Sequence, residues 1–148
     1  MNLRVNHYDA NPSVYETMMV LEAHIKKSGL DPSLYELIKL RASQINGCSF
    51  CINMHGEHLL KKGEHFERIL LLTVWREVSV FSDKEKAVLQ LTECVTNISE
   101  CGVPDHVYQN VRAHFDEKQY VDLIMAINTI NSWNRIGIAT GMSPGCLL

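Results

Sequence analysis

Residues 36–55 read Glu36-Leu-Ile-Lys-Leu-Arg-Ala-Ser-Gln-Ile-Asn-Gly-Cys48-Ser-Phe-Cys51-Ile-Asn-Met-His55, and the backbone logic of this stretch sets the fold. Asn46-Gly47 readily takes left-handed backbone angles, so it stops the helix that Asp31-Pro32 opens. A new helix follows at once, from about Cys48 to Lys62, and Gly63 closes it. The same signals recur on both sides. Upstream, Asn11 as N-cap and Pro12 in the first turn start a helix that ends at Ser28-Gly29, with Val14, Met18, Leu21 and Ile25 as its apolar stripe. Downstream, a short helix spans Phe66 to Trp75. Ser82-Asp83-Lys84-Glu85 is a capping box whose helix buries Val88, Leu91, Val95 and Ile98. Pro104 starts another short helix, and Asp116 with Gln119 opens the longest, which reaches to about Gly141. The one strand-like run, Val78 to Phe81, is too short to build a sheet. The expectation is a single all-α domain over 1–148, of about seven helices, with a loose tail over 143–148.

Composition narrows the function classes. A chain of 148 residues with 46% hydrophobic content can bury a core, which excludes disordered and fibrous proteins. Fourteen Lys and Arg against 17 Asp and Glu give a net charge of −3 spread along the chain, so no nucleic-acid partner is expected. The longest purely apolar run is Ile69 to Leu72, and the N-terminus has no signal-like apolar region. Neither a membrane span nor export is expected, and the location expected is cytoplasmic. Five cysteines, an odd number in a chain this long, argue against a disulfide framework and for thiol chemistry or buried thiols.

The thiol chemistry has a place. Cys48 and Cys51 form a C-x-x-C pair with Cys48 in the first turn of its helix, where unsatisfied N–H groups and the positive dipole end favour a thiolate. His55 follows Cys51 by four residues, so its imidazole lies one turn on along the same face and can take the thiol proton, directly or through one water. Two cysteines three apart at a helix start can close a disulfide with little backbone movement.

Two rival readings are weaker. A zinc site from Cys48, Cys51, His55 and His58 fails on reach, because at about 1.5 Å rise per residue Cys48 and His58 are roughly 15 Å apart along one helix. No second C-x-x-C or H-x-x-x-H completes such a site, so no metal and no cofactor are expected. A thioredoxin-like reading needs a βαβ context that is absent here. An unused pair of buried thiols is the plainest alternative.

The stretch resembles the AhpD-like alkylhydroperoxidases of the carboxymuconolactone decarboxylase superfamily. The resemblance rests on Glu36 twelve residues before Cys48, the run Asn46-Gly-Cys-Ser-Phe-Cys51, and His55. Further similar segments run Leu72-Thr-Val-Trp-Arg-Glu77, Phe81-Ser-Asp-Lys-Glu-Lys-Ala87 and Ala126-Ile-Asn-Thr-Ile-Asn-Ser-Trp-Asn-Arg135. It implies an all-helical homo-oligomer, a trimer or a hexamer, that reduces organic hydroperoxides. By the same resemblance Cys51 attacks the peroxide, Cys48 resolves it, and His55 and Glu36 relay the proton. It also implies a dithiol reductant such as a lipoyl-bearing protein. The decarboxylase branch works without a cysteine pair, so the pair disfavours a decarboxylase. Phe50 stands where some members carry Tyr or His; a phenyl ring cannot relay a proton and suits an apolar wall for an organic peroxide.

Other residues read as structure. Cys94 is expected as a small buried hydrophobe, the exposure of Cys101 at a helix end and Cys146 in the tail is left open, and Trp75, Trp133 and Met18-Met19 are expected as core or subunit interface. His58 is expected to be solvated or to border the pocket. Asn128, Asn131 and Asn134 form a polar stripe, solvated or at an interface. Beside the peroxidase reading stands a second one, a non-catalytic redox- or metal-responsive oligomeric sensor. Only an enzyme consumes many peroxide equivalents per chain.

Overall fold

In the computed structural model, which describes residues 3–146 apart from the Cys101 side chain, the chain is helical throughout and has no strand among the described residues. Helix α1 (His7–Ala10) is one turn, started by Asn6, whose side chain accepts from the Tyr8 amide. Then follow α2 (Pro12–Lys27), α3 (Pro32–Asn46), α4 (Ser49–Lys61) and α5 (Phe66–Leu71), which tightens into a 3-10 segment over Leu72–Glu77. The remainder is α6 (Asp83–Thr96), the single turn α7 (Ile98–Cys101), α8 (Asp105–Arg112) and α9 (Glu117–Thr140). The seven helices expected from sequence are present, and the two one-turn helices and the 3-10 tightening are additions.

Most boundaries form by the chemistry that signals them. The Asp31 side chain accepts from the Leu34 amide, and both capping boxes, Ser82 with Glu85 and Asp116 with Gln119, are closed in both directions. Gly47 ends α3 at φ 71°, a left-handed angle that costs a β-carbon-bearing residue roughly 1–2 kcal/mol. Three local expectations are corrected. Asn11 makes no side-chain cap bond, because its Oδ1 accepts instead from the Ser13 hydroxyl. Asn97 leaves helical angles and breaks α6, so Ile98 begins a new turn and is 55% exposed rather than on the buried face. Val14 is also exposed, since the packed stripe of α2 begins at Met18.

Helix α3 lies at the centre, packed against α4, α6 and α9. It is therefore buried on nearly every side, and each of its faces serves a different neighbour. Leu34, Ile38 and Ala42 join Val88, Leu91, Leu123 and Ile127 in the main core. Leu37 and Leu40 join Leu59, Leu72, Trp75 and Leu89 on the opposite side. Tyr35 meets Ile25 of α2 and Ala126 of α9. Burying such aliphatic side chains stabilises the fold by about 1.5–3 kcal/mol each against leaving them exposed. The remaining face of α3, carrying Glu36, Lys39 and Ser43, is polar yet buried, and it carries the chemistry.

Residues Ser143–Cys146 form a turn in which the Cys146 amide donates to the Ser143 carbonyl. The last two residues of the expected tail, and the Cys101 side chain whose exposure the sequence left open, lie outside the described residues. Cys146 is half-buried, and Cys94 packs half-buried against the main core.

Candidate active site

The site is built at the joint between α3 and α4. Gly47 turns the chain, the Cys48 amide donates back to the Ser43 carbonyl at 3.0 Å, and the Cys48 carbonyl accepts from Ile52, so Cys48 is the N-cap of α4 rather than part of its first turn. Cys51 lies one turn on. Both are buried, and their sulfurs meet as a disulfide pair with Cα atoms 5.3 Å apart. They face α9 where it has no side chain. A Cβ built on Gly137 would lie 3.4 Å from the Cys48 sulfur and 3.9 Å from that of Cys51.

His55, one turn after Cys51, is 4% exposed, and its Nδ1 lies 2.9 Å from Glu36 Oε2. A carboxylate can only accept there, which assigns the proton to Nδ1 and leaves Nε2 with its lone pair. Burial, the largest influence on His55, pushes its pKa below the usual 6.5, against the raising effect of Glu36, so the ring is neutral at pH 7. For Glu36 burial works upward, but the His55 hydrogen bond and the charges of Lys39, His55 and Lys62 outweigh it and hold the carboxyl down at about 2. A neutral imidazole is thus oriented by an ionised carboxylate, the arrangement of a general base beside a nucleophile.

Glu36 itself is held from behind. Lys39 Nζ lies 3.7 Å from Glu36 and 3.1 Å from Glu22 of α2. Glu22 also accepts from the Tyr35 hydroxyl and the Trp133 indole N–H, both at 3.1 Å. Glu22, Lys39, Glu36 and His55 therefore form a buried chain of alternating charge that ends on the imidazole. A second network fixes the end of α3 to α9: Asn46 donates to Asn131 and Asn134, and Asn134 donates to Ser43. Asn131 and Asn134 are buried, a correction to the solvated or interface stripe expected from sequence, while Asn128 is exposed.

Over these groups opens a pocket of about 470 Å³. Cys51, His55 and Glu36 line it, with Phe50 as the apolar wall expected from sequence and His58 at its border; Cys48 is not in the lining and sits behind Cys51. All four site residues named from the sequence are thus brought together. Sequence reasoning did not place Glu22, Lys39, Trp133, His7 or Gly137 here. Gly137 alone carries a signal, since a glycine inside a helix marks a close approach.

As metal ligands, the donor atoms of Glu36, His55 and His58 lie within 4.8 Å of one another, without the cysteines. Lys39 and Lys62 stand 3.7 and 3.8 Å from the same Glu36 oxygen and oppose a cation there. No helix among the described residues is long and apolar enough to cross a membrane.

Comparison with known proteins shows the family and the fold. The sequence pattern of the carboxymuconolactone decarboxylase family matches residues 12–93. The uncharacterized protein YdfG of Bacillus subtilis (strain 168) is 48% identical over 141 residues, 95% of this chain and 96% of that one. A crystal structure from Agrobacterium tumefaciens, described as a protein of unknown function with a suggested assignment as the antioxidant defence protein AhpD, superposes with a TM-score of 0.92 at 40% identity, over 95% of this chain and 96% of that one. An uncharacterized peroxidase-related protein from Silicibacter sp. TM1040 shares the fold, with a TM-score of 0.80 at 20% identity over 91% of this chain and 72% of that one.

Proposed function

Because the chain belongs to the carboxymuconolactone decarboxylase family, among its AhpD-like members, we propose that it is a thiol-dependent peroxidase that reduces organic hydroperoxides. The observation that carries this reading is the placement of a cysteine pair in one pocket with a carboxylate-oriented, neutral histidine. Cys51 is the attacking thiol, because it faces the pocket and Cys48 lies behind it.

In the reduced protein His55 Nε2 takes the Cys51 proton, directly or through one water. The thiolate attacks the distal peroxide oxygen, the O–O bond breaks, and the alkoxide leaves as an alcohol with the proton that His55 returns. Cys51 is now a sulfenic acid. The Cys48 sulfur attacks it, an S–S bond forms, and water departs with the sulfenic oxygen. A dithiol then reopens the disulfide by exchange and is itself oxidised. By family analogy that reductant is a lipoyl-bearing protein, and the working protein is a homo-oligomer.

Mass analysis of the reduced protein before and after one equivalent of cumene hydroperoxide, followed by turnover with excess dihydrolipoamide, tests the reading. A Cys48–Cys51 disulfide that forms, is recycled many times and is lost in Cys51→Ser is the expected outcome. A pair that oxidises once and is never recycled would instead favour the sensor.

A further inference from the structure

The hydrogen-bond account of the pocket over Cys51 is uneven. Both of its carboxylates are committed. Glu22 accepts from Tyr35, Lys39 and Trp133, and Glu36 is taken by His55 with Lys39 and Lys62 beside it. The capacity left over is for donation. Lys26, an exposed residue one helical turn beyond Glu22 on α2, lines the pocket and has no acidic partner among the described residues. His7 of α1 lines it too, and both of its ring nitrogens are buried without a hydrogen-bond partner among the described residues. Burial lowers the His7 pKa, so the ring is neutral and has one N–H to give. An acceptor oxygen brought to this ring would pair its N–H.

Charge points the same way. The lining carries Lys26, Lys39 and Lys62 against Glu22 and Glu36, a net positive pocket on a chain of net charge −3. Apart from His58 and the hydroxyls of Tyr8 and Tyr15, the rest of the wall is largely apolar. Phe50, Met54 and Met142 lie along it, and Trp133 stands in ring contact with Tyr15 and His7, at centroid distances of 5.8 and 6.3 Å. A pocket of about 470 Å³ is of the size that encloses a small organic molecule.

We infer that this pocket selects an amphiphilic carboxylate: a hydroperoxide whose apolar body lies along Phe50, Met54 and Trp133 and whose carboxylate is received by Lys26 and His7. That the ligand is a hydroperoxide rests on the peroxidase reading above; that it carries a carboxylate rests on the pocket alone. A carboxylate presents two acceptor oxygens to two uncommitted donors, whereas a cationic ligand would meet an ammonium with no free carboxylate to offset it.

Two experiments separate these two parts. In the first, the reduced protein is alkylated with iodoacetamide in the presence of decanoate or of decanol, and modification of Cys51 is followed by mass analysis. Decanoate is expected to protect at a concentration about tenfold lower than decanol, and Lys26→Glu to abolish the difference. The neutral ring of His7→Phe keeps the packing, and its expected loss of part of the decanoate preference covers the case in which Lys26→Glu fails to fold. Equal protection by the two compounds, or a preference for decanol, overturns the inference. In the second, kcat/KM is compared for a fatty-acid hydroperoxide and its methyl ester, both below their aggregation concentrations. The acid is expected to be favoured about tenfold, and Lys26→Gln to bring the ratio towards one. Turnover of cumene hydroperoxide without any carboxylate preference overturns the carboxylate site. Protection by decanoate with no hydroperoxide turned over overturns the peroxidase reading and leaves the site standing.

Discussion

At the scale of single residues, the chemistry depends on how strongly His55 holds a proton, and two neighbours pull on it in opposite directions. Burial lowers its pKa most; against that background Glu36 raises it through a hydrogen bond and its charge, while Lys39, and after it His58, lower it further. Glu36→Gln is therefore expected to slow Cys51 oxidation and to move the acidic limb of the rate profile to lower pH. Lys39→Met is expected to move that limb to higher pH. Stopped-flow oxidation rates between pH 4 and 8 read both, and limbs that shift the same way would break the link from Lys39 to His55. Lys39→Met also leaves Glu22 buried without its cation, a change that typically costs about 3–5 kcal/mol, so its melting temperature falls more than that of Lys39→Arg. Glu22 and Lys39 were not legible in the sequence for a plain reason. A charged residue on an amphipathic helix reads as solvated, and only the packing of α2 and α9 around α3 shows that these two are enclosed. Cys48, Cys51 and His55 were legible from local spacing, and Glu36 from the family pattern alone, and neither depends on knowing which helix packs where.

At the scale of elements, the joint of α3 and α4 and the facing surface of α9 place the sulfurs. Gly47 has φ 71°, and nothing lies within 4 Å of a Cβ added there, so its substitution costs backbone strain and no clash. Stability is expected to fall in the order Gly47, Gly47→Asn, Gly47→Val, with about 1–2 kcal/mol lost at the end, because Asn tolerates left-handed angles better than a β-branched residue. Chemical denaturation of the three proteins checks the order, and equal stability would remove the geometric role of Gly47. Gly137 is the complementary case. There an added Cβ meets the sulfurs themselves, at ordinary contact distance for Ala, whereas the two methyls of Val would push into them. Gly137→Val is expected to slow disulfide formation by about tenfold or more, and Gly137→Ala to change it little; thiol titration after a peroxide pulse distinguishes them. Helix ends set by caps, such as Asp31-Pro32, Ser82 with Glu85 and Asp116 with Gln119, are readable from sequence because cap and helix lie within four residues. The burial of Asn131 and Asn134 was not, since their partners Asn46 and Ser43 are more than eighty residues away.

At the scale of the whole molecule, the buried carboxyl and imidazole groups that titrate below pH 7 act in one direction. Glu36 is held at about 2, and Glu93 is lowered too: burial works to raise it, but the hydrogen bonds from Arg76, Trp75 and Arg41 prevail. A carboxyl depressed in the fold contributes stability that is present above its ordinary 4.5 and is lost as pH falls through that value towards the folded one. His55 and His7 are lowered from 6.5 by burial, so the unfolded chain takes up their protons first as the solution is acidified. Their contribution is complete above pH 6.5 and erodes below it. The two effects add rather than cancel. The melting temperature is expected to be level between about pH 7 and 8, to decline gently from about pH 6.5 as the imidazoles resist protonation, and to fall steeply between about pH 4.5 and 2 as the carboxylates are titrated. Because Glu36 is nearly enclosed, its share of the steep phase amounts to a few kcal/mol, and Glu36→Gln should flatten that phase while lowering stability at neutral pH. Thermal melts of the wild-type protein and Glu36→Gln from pH 8 to pH 3 measure both phases. A melting temperature that stays constant or rises on acidification to pH 4 would mean that Glu36 and His55 do not hold the protonation states on which the proposed relay depends.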